Sequence, residues 1–421
     1  MTSERTLTTR CCIAGGGPAG IMLGYLLARA GVDVVVLEKH ADFFRDFRGD
    51  TIHSSTLEVM DELGLLEDLL RIPHSEVAQL SGRIGNETLQ IADFSHVPGR
   101  CKFIALMPQW DLLNFLAEQG RRYAGFHLEM QAQALDLVHA GDRVCGVQAQ
   151  TPSGPLTVNA ELVVAADGRH STLREVAKLP IRDIGAPIDV LWMRLSRHPD
   201  DPGQTFGNIT SGGILVAIDR REYYQCAFVI RKGEFADIQA GGLENFRTTV
   251  ARVAPSLADR VQEIRSWDDI KLLTVMIDRL QTWYLPGFLC IGDAAHAMSP
   301  VGGVGINLAI QDAVAAANVL AIPLRRGAIT TRLLWAVQHR REFATRMTQW
   351  LQVQVQKRIL GRVLSTSTPI RVPAWLRFLF SLPMVRRIPA RIVGVGFRAE
   401  HVRTPDAGAI AYQSAPSPTS I

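Results

Sequence analysis

Apolar runs and amphipathic stretches alternate along the first 180 residues, and several of the runs end in glycine or an acid. The apolar run through Cys11 and Ala14 predicts a strand, and Ile21 to Ala30, long, apolar and free of proline, predict a helix. Between them Gly15, Gly17 and Gly20 form G-x-G-x-x-G, with Pro18 and Ala19 inside it. Val32 to Leu37 predict a second strand closing on Glu38, followed by Lys39. Gly15 permits a tight turn, Gly17 lets a pyrophosphate approach the backbone, and Gly20 lets helix and strand pack closely. Phosphates then sit on the unpaired N–H groups of the helix start, and Glu38, about 20 residues on, is placed to accept hydrogen bonds from a ribose diol. Gly394-Val-Gly396-Phe-Arg-Ala399 also fits G-x-G-x-x-A, but Pro405 and a polar tail follow it, so that copy reads as coincidence.

A polar loop from Lys39 to Thr51 leads to an amphipathic helix expected over Ser54 to Leu70, where Leu57, Met60, Leu63 and Leu66 share a face and Ser54 or Ser55 can cap the start. Gln79 to Arg83 and Glu87 to Ala92 predict a hairpin around Gly85-Asn86. A helix is expected over Trp110 to Ala124, and a meander around Pro152 to Gly154 delivers Glu161 to Ala166 into Asp167-Gly168. From about residue 180 to 278 the texture changes to strands rich in aromatic residues and valine, with one helix at Leu243 to Val253. Phe288 to Ile291 predict a buried strand ending in Gly292-Asp293, and an alanine-rich helix follows from Gly305 to Leu320.

The composition fits an ordinary globular chain: 421 residues, 47% of them hydrophobic, are enough for two domains or one large α/β unit with an insertion. A net charge of +4 is small for that length and does not point to nucleic acid. Six cysteines are scattered without C-x-x-C spacing, which reads as reduced core residues and no metal site. The polar N-terminal residues run straight into the first strand, so the expected location is cytoplasmic.

Asp167-Gly168-Arg169-His170-Ser171-Thr172-Leu173-Arg174 ends one strand and opens a helix, and Gly292-Asp293 through Pro300, Gly302, Gly303, Gly305, Ile306 and Asn307 does so again. Ligands of open parallel sheets collect outside the carboxyl ends of the strands, so three such sites can line one extended cofactor. In this order the three motifs resemble the class A, para-hydroxybenzoate hydroxylase-like flavoprotein monooxygenases, over roughly residues 10 to 320. The resemblance implies noncovalent FAD, with its adenosine on Gly15 to Gly20 and Glu38, Arg48 and Gln109 near the pyrophosphate, Asp293 at the ribityl-phosphate region, and Asp167-Gly168 shared between FAD and nicotinamide. It places Pro300 to Asn307 along the isoalloxazine ring, where the positive end of a helix suits an anionic reduced flavin. NAD(P)H would dock transiently, and with O2 the flavin would form a C4a-hydroperoxide that hydroxylates or epoxidises an apolar, aromatic small molecule. A flavin-dependent reductase of isoprenoid double bonds on the same fold is the rival reading; a non-enzymatic FAD-binding protein is a third.

The expected architecture is α/β: a Rossmann-type FAD-binding domain from residues 1–75, 105–180 and 279–355, with a mainly antiparallel substrate domain from 76–104 and 181–278. Trp192, Phe206, Tyr224 and Phe228 of that second domain supply stackable apolar surface and are the candidate substrate contacts. No catalytic base is assigned; His296 reads as structural, and His53 and His170 as ordinary loop or helix-start residues. Residues 356–404 are expected to form a basic helical segment, and 405–421 a tail without structure. Lys357 to Arg403 carries many arginines against a lone Glu400, with Trp375, Phe378 and Leu379 between them. Its prolines cut it too short to span a bilayer, so it either packs on the FAD domain or a second subunit, or lies on a membrane surface. Monomer and homodimer both remain open.

Overall fold

A computed structural model describes residues 5–44, 50–201, 205–365, 368 and 370–408. The chain opens with β1 (Arg5–Ala14), α1 (Pro18–Arg29) and β2 (Val34–Glu38). Next come β3 (Thr51–Ile52), α2 (Ser54–Glu62), α3 (Leu66–Leu70), β4 (Ser75–Val77), β5 (Gln79–Ile84), β6 (Glu87–Asp93), β7 (Ile104–Leu106) and α4 (Gln109–Gly120). A run of strands follows, β8 (Phe126–Met130), β9 (Gln133–Ala140), β10 (Arg143–Thr151) and β11 (Gly154–Ala165), then α5 (Thr172–Val176) and β12 (Ile181–Asp183). The next stretch holds β13 (Ile188–Ser196), β14 (Phe206–Thr210), β15 (Gly213–Asp219), β16 (Tyr223–Arg231), α6 (Phe235–Ala240) and α7 (Leu243–Val253). Short strands β17 (Lys271–Leu273), β18 (Asp278–Leu280), β19 (Tyr284–Leu285) and β20 (Phe288–Cys290) precede α8 (Gly305–Arg326) and α9 (Thr331–Val355). The described chain closes with α10 (Gly361–Ser365), α11 (Ala374–Ser381) and α12 (Pro383–Gly394).

Two sheets organise these elements. In the first, β20, β11, β1, β2 and β8 are parallel neighbours, so the turns after β20, β11, β1 and β2 share one edge. Cys11, Cys12, Ile13 and Val34 to Val36 are buried on both faces, which is why these strands read as unbroken apolar runs. α1 packs on α8 and α4 across this core. The second sheet runs β17-β13-β16-β15-β14-β5-β6 and takes in the β5–β6 hairpin, whose turn uses Gly85 at φ +59°. The long helix expected to Leu70 is instead two, because Gly64 at φ +69° ends α2 after Leu63. Neither Ser54 nor Ser55 caps α2; His53 occupies the cap position, and its side chain makes no capping hydrogen bond to the helix.

The chain end differs from expectation as well. Residues 405–408, expected in a tail without structure, lie along α1: Ala407 N–H donates to Arg29 O at 2.8 Å, and Asp406 pairs with Arg29. Residues 409–421 lie outside the described residues. The lone acid Glu400 is buried and holds Arg340 through both its oxygens. Among the described residues α8 is the one helix long and apolar enough to cross a membrane, and 78% of its apolar window is buried inside the fold.

Candidate active site

At the end of β1, Gly15 takes φ +106°, and a β-carbon there would stand 2.4 Å from Ala166 O. A β-carbon on Gly20 would stand 1.9 Å from Gly15 O, so turn and helix approach as closely as the spacing predicts. Gly17 is different: nothing lies within 4 Å of where its β-carbon would be. It is the N-cap of α1, with Pro18 at the first helical position and no side-chain cap or acid in the first turn. Glu38 is buried at the end of β2 and accepts from Gly16 N–H (2.9 Å) and His40 N–H (3.0 Å). The two amides fix the carboxylate beside the glycine turn. Lys39 is exposed, Gln109 is the first residue of α4, and Arg48 lies outside the described residues.

The second motif follows β11. Gly168 takes φ +91° and faces open space, while Ser171 caps α5 by accepting from Arg174 N–H at 3.0 Å. Asp167 Oδ2 accepts from Leu173 N–H at 3.3 Å, but Asp167 Oδ1 is buried with no hydrogen-bond partner. Burial pushes this carboxyl above the usual carboxylate range. An orphaned buried oxygen is expensive unless a ligand donor satisfies it.

The third motif follows β20. Gly292 takes φ +59° and donates to Asp312 Oδ2 at 3.0 Å; Asp293 sits beside it, part-exposed and 3.4 Å from Arg169. The loop onward to Gly305 is clamped from two sides. Gln352 of α9 accepts from Ser299 N–H (3.2 Å) and donates to the carbonyls of Ser299 and Val301 (2.9 Å each). Gln349, one turn earlier, donates to Ala297 O at 3.1 Å. From the other side Thr51 Oγ1 donates to Gly303 O at 2.9 Å. Gly302 and Gly303 both have positive φ, and a β-carbon on Gly303 would strike Thr51 Oγ1 at 2.1 Å. Pro300 lies part-buried in the loop, Gly305 begins α8 facing open space, and Ile306 is in the core. The Asn307 side chain is fully engaged, accepting from His53 N–H (2.9 Å) and Thr56 Oγ1 (2.6 Å) and donating to Thr51 O (3.2 Å). Asn307 therefore ties α8 to β3 and α2, and can serve a cofactor only through its backbone.

Gly17, Gly168 and Gly305 thus face open space at three neighbouring strand ends, and with the orphaned Asp167 oxygen they form a cradle suited to an extended phosphate- and hydroxyl-bearing cofactor such as FAD. Behind it Asp312 is fully buried, 2.6 Å from His296 Nε2 and 2.9 Å from Arg341 Nε. Burial alone would raise its carboxyl, but His296 and Arg341 outweigh that and hold it below the usual range. His296 is accordingly a structural partner of Asp312. His53 is also fully buried, its Nδ1 donating to Val393 O at 2.6 Å, and burial lowers its pKa to about 4.

The candidate substrate residues divide. Along β13, β15 and β16, Trp192, Val216 and Ala227 share one sheet face by register, and Val301 of the loop packs in the same cluster. Phe206, Tyr224 and Phe228 are on the opposite face, sealed under α7 and the turn at Pro255–Glu263; Phe228 meets Phe246 edge-on at 5.5 Å. They are core, and only Trp192 of the four faces the loop. Both sheet faces are covered, so no polar alternation marked which residues point inward. Sequence reasoning also missed Gln349 and Gln352; their i, i+3 spacing put them on one helix face, which reads as solvated until the loop is seen against it. A cavity of ≈ 120 Å³ lies between the loop, α8, α9 and residues 392–399, well short of the roughly 300 Å³ of the smallest usual ligand pockets.

A family model described as an FAD binding domain matches residues 8–351. The 6-methylpretetramide 4-monooxygenase of Streptomyces rimosus is 33% identical over 86% of this chain and 87% of its own length. The dialkyldecalin synthase of Streptomyces rugosporus is 28% identical over 72% of the chain, which spans only 63% of that protein. In fold the chain resembles the p-nitrophenol 4-monooxygenase of Pseudomonas putida DLL-E4, with a TM-score of 0.74 at 20% identity, covering 92% of this chain and 97% of that one.

Proposed function

The chain belongs to the class A FAD-binding flavoprotein monooxygenases and is an FAD-dependent hydroxylase of aromatic compounds, and from that premise we propose that it takes electrons from NAD(P)H, splits O2 and hydroxylates a multi-ring phenolic substrate. Bound FAD would supply the redox chemistry, passing two electrons from the nicotinamide to O2, with one oxygen atom going to the ring and the other leaving as water. The chain's residues bind, orient and exclude water. Open backbone amides at the start of α1 would take the pyrophosphate, Glu38 would take a ribose diol, and Asp167 Oδ1 and Asp293 would accept from ribityl hydroxyls or the nicotinamide carboxamide. The start of α8 carries the positive end of a helix of 22 residues, which would stabilise negative charge on a reduced flavin held beside it. Gln349, Gln352 and Thr51 hold the loop that separates this helix start from the substrate face carrying Trp192, Val216 and Ala227.

The observation that carries the reading is this juxtaposition: the loop whose glycines border the cofactor cradle presents Val301 to an apolar sheet face. The multi-ring preference is drawn from the 6-methylpretetramide named for the Streptomyces rimosus relative. The test is NAD(P)H oxidation and O2 uptake with a panel of phenols and naphthols, with product masses read in parallel. Oxygenated product supports the reading; reduction of a double bond without O2 replaces it with the reductase. The exposed Trp375, Phe378, Met384 and Ile388 on α11 and α12, among arginines, support contact with an anionic membrane surface.

A further inference from the structure

On the loop-facing side of the second sheet, Gln225 pairs with Ile218 across β15 and stands one pleat from Ala227, the partner of Trp192. Beside it lies Arg220, whose Nε and Nη2 both donate to Gln225 Oε1 at 3.3 Å, and whose Nη2 also meets the Asp50 carboxylate. The side chains of Arg220 and Asp50 are each 5% exposed, and Gln225 is equally buried. Asp50 immediately precedes Thr51, the residue that holds Gly303, so the cluster sits where the loop meets the substrate sheet.

Two buried nitrogens of this cluster have no hydrogen-bond partner, Arg220 Nη1 and Gln225 Nε2. The orientation of Gln225 is set by its oxygen, which accepts from Arg220, so the amide nitrogen is the free end. Both orphans are donors, and the ligand that satisfies them must bring an acceptor. Asp50 already occupies half of the guanidinium fork, so the site lacks the two parallel donors on one group that a carboxylate or phosphate takes from arginine. A single oxygen fits.

We propose that Arg220 and Gln225 are the polar anchor of the substrate, receiving one phenolate, enolate or conjugated carbonyl oxygen of a molecule whose ring packs on the sheet face of Trp192, Val216 and Ala227 beside Val301. The inference rests on the aromatic-hydroxylase reading and adds where the substrate's oxygen is held. Fixing that oxygen fixes which ring carbons, those ortho and para to it, face the loop, so the anchor sets regiochemistry.

The test uses the FAD-loaded enzyme with 4-nitro-1-naphthol and its methyl ether, which differ in the one oxygen. The wild type should bind the naphthol at least about tenfold more tightly than the ether, the effect of one hydrogen bond to a charged group, and the naphtholate's absorption band should shift on binding. Gln225→Leu, which leaves the Asp50–Arg220 pair in place, should cut that preference several-fold with FAD affinity unchanged. Asp50→Asn with Arg220→Gln should abolish it. If either set of variants keeps the wild-type preference and the anion signal, the anchor is refuted; should the double variant not fold, Gln225→Leu decides alone. Equal binding of both compounds to the wild type refutes the anchor and leaves the hydroxylase reading standing. Binding of neither refutes the aromatic-substrate reading and the anchor with it.

Discussion

Gln352→Leu removes three hydrogen bonds that reach from α9 to the loop, one from Ser299 N–H and two to the carbonyls of Ser299 and Val301. Gln352 is 4% exposed, so water does not replace them while the loop stays in place. At about 1 kcal/mol net per bond the loop loses about 3 kcal/mol, roughly two decades in its closed-to-open ratio. An open loop lets water reach the flavin edge and moves Val301 away from Trp192. The expected result is weaker FAD binding by about tenfold and a falling ratio of hydroxylated product to NAD(P)H consumed, with hydrogen peroxide making up the difference. Gln352→Glu should be at least as damaging, since it turns an oxygen on two carbonyls. Product yield, peroxide and flavin fluorescence are read on the same preparation. If Gln352→Leu retains wild-type coupling and FAD affinity, the glutamine clamp is not what positions the loop.

Glu38→Ala should weaken FAD binding by about 1.5–3 kcal/mol, one to two decades, in a fluorescence titration, and wild-type affinity would remove Glu38 from the site. Gly303→Ala forces a β-carbon onto Thr51 at φ +61° and should abolish coupled hydroxylation, with Thr51→Ala in the same chain restoring part of it. His53 has a folded pKa of about 4 against its ordinary 6.5, so the unfolded chain binds the extra proton between those values and stability falls as pH drops from 6.5 towards 4, by roughly 3 kcal/mol. Denaturant melts across that window check it, and His53→Asn, which can still donate to Val393 O, should flatten the slope; an unchanged slope places the titration elsewhere. Trp375→Ser with Phe378→Ser should reduce sedimentation with anionic vesicles at low salt, and a wild type that stays in the supernatant rules out membrane contact through α11 and α12.

What was legible in the sequence was local. The strand, turn and helix around Gly15 to Gly20 are determined by neighbours in the chain, and Gly17 and Glu38 sit where the spacing put them. The same holds for Gly85 and for the start of α8. What depended on distant packing was not legible. Tyr224 and Phe228 looked like pocket residues because a sheet covered on both faces is apolar on both. Gln352 and Gln349 went unremarked because the loop that buries them comes from about 50 residues earlier in the chain. Arg220 and Asp50 are 170 residues apart, and nothing near either one announces the other. Asn307 belonged to a recognised motif, yet its side chain is spent on β3 and α2.

The central claim is that this cradle and this apolar face together perform oxygenation. Isotope labelling tests it most directly: the FAD-loaded enzyme, NAD(P)H and a naphthol substrate under 18O2, followed by mass spectrometry of the product. The account predicts one 18O atom in the new hydroxyl group and none when the label is in water. Label arriving from water, or a reduced product formed equally well without oxygen, would contradict it.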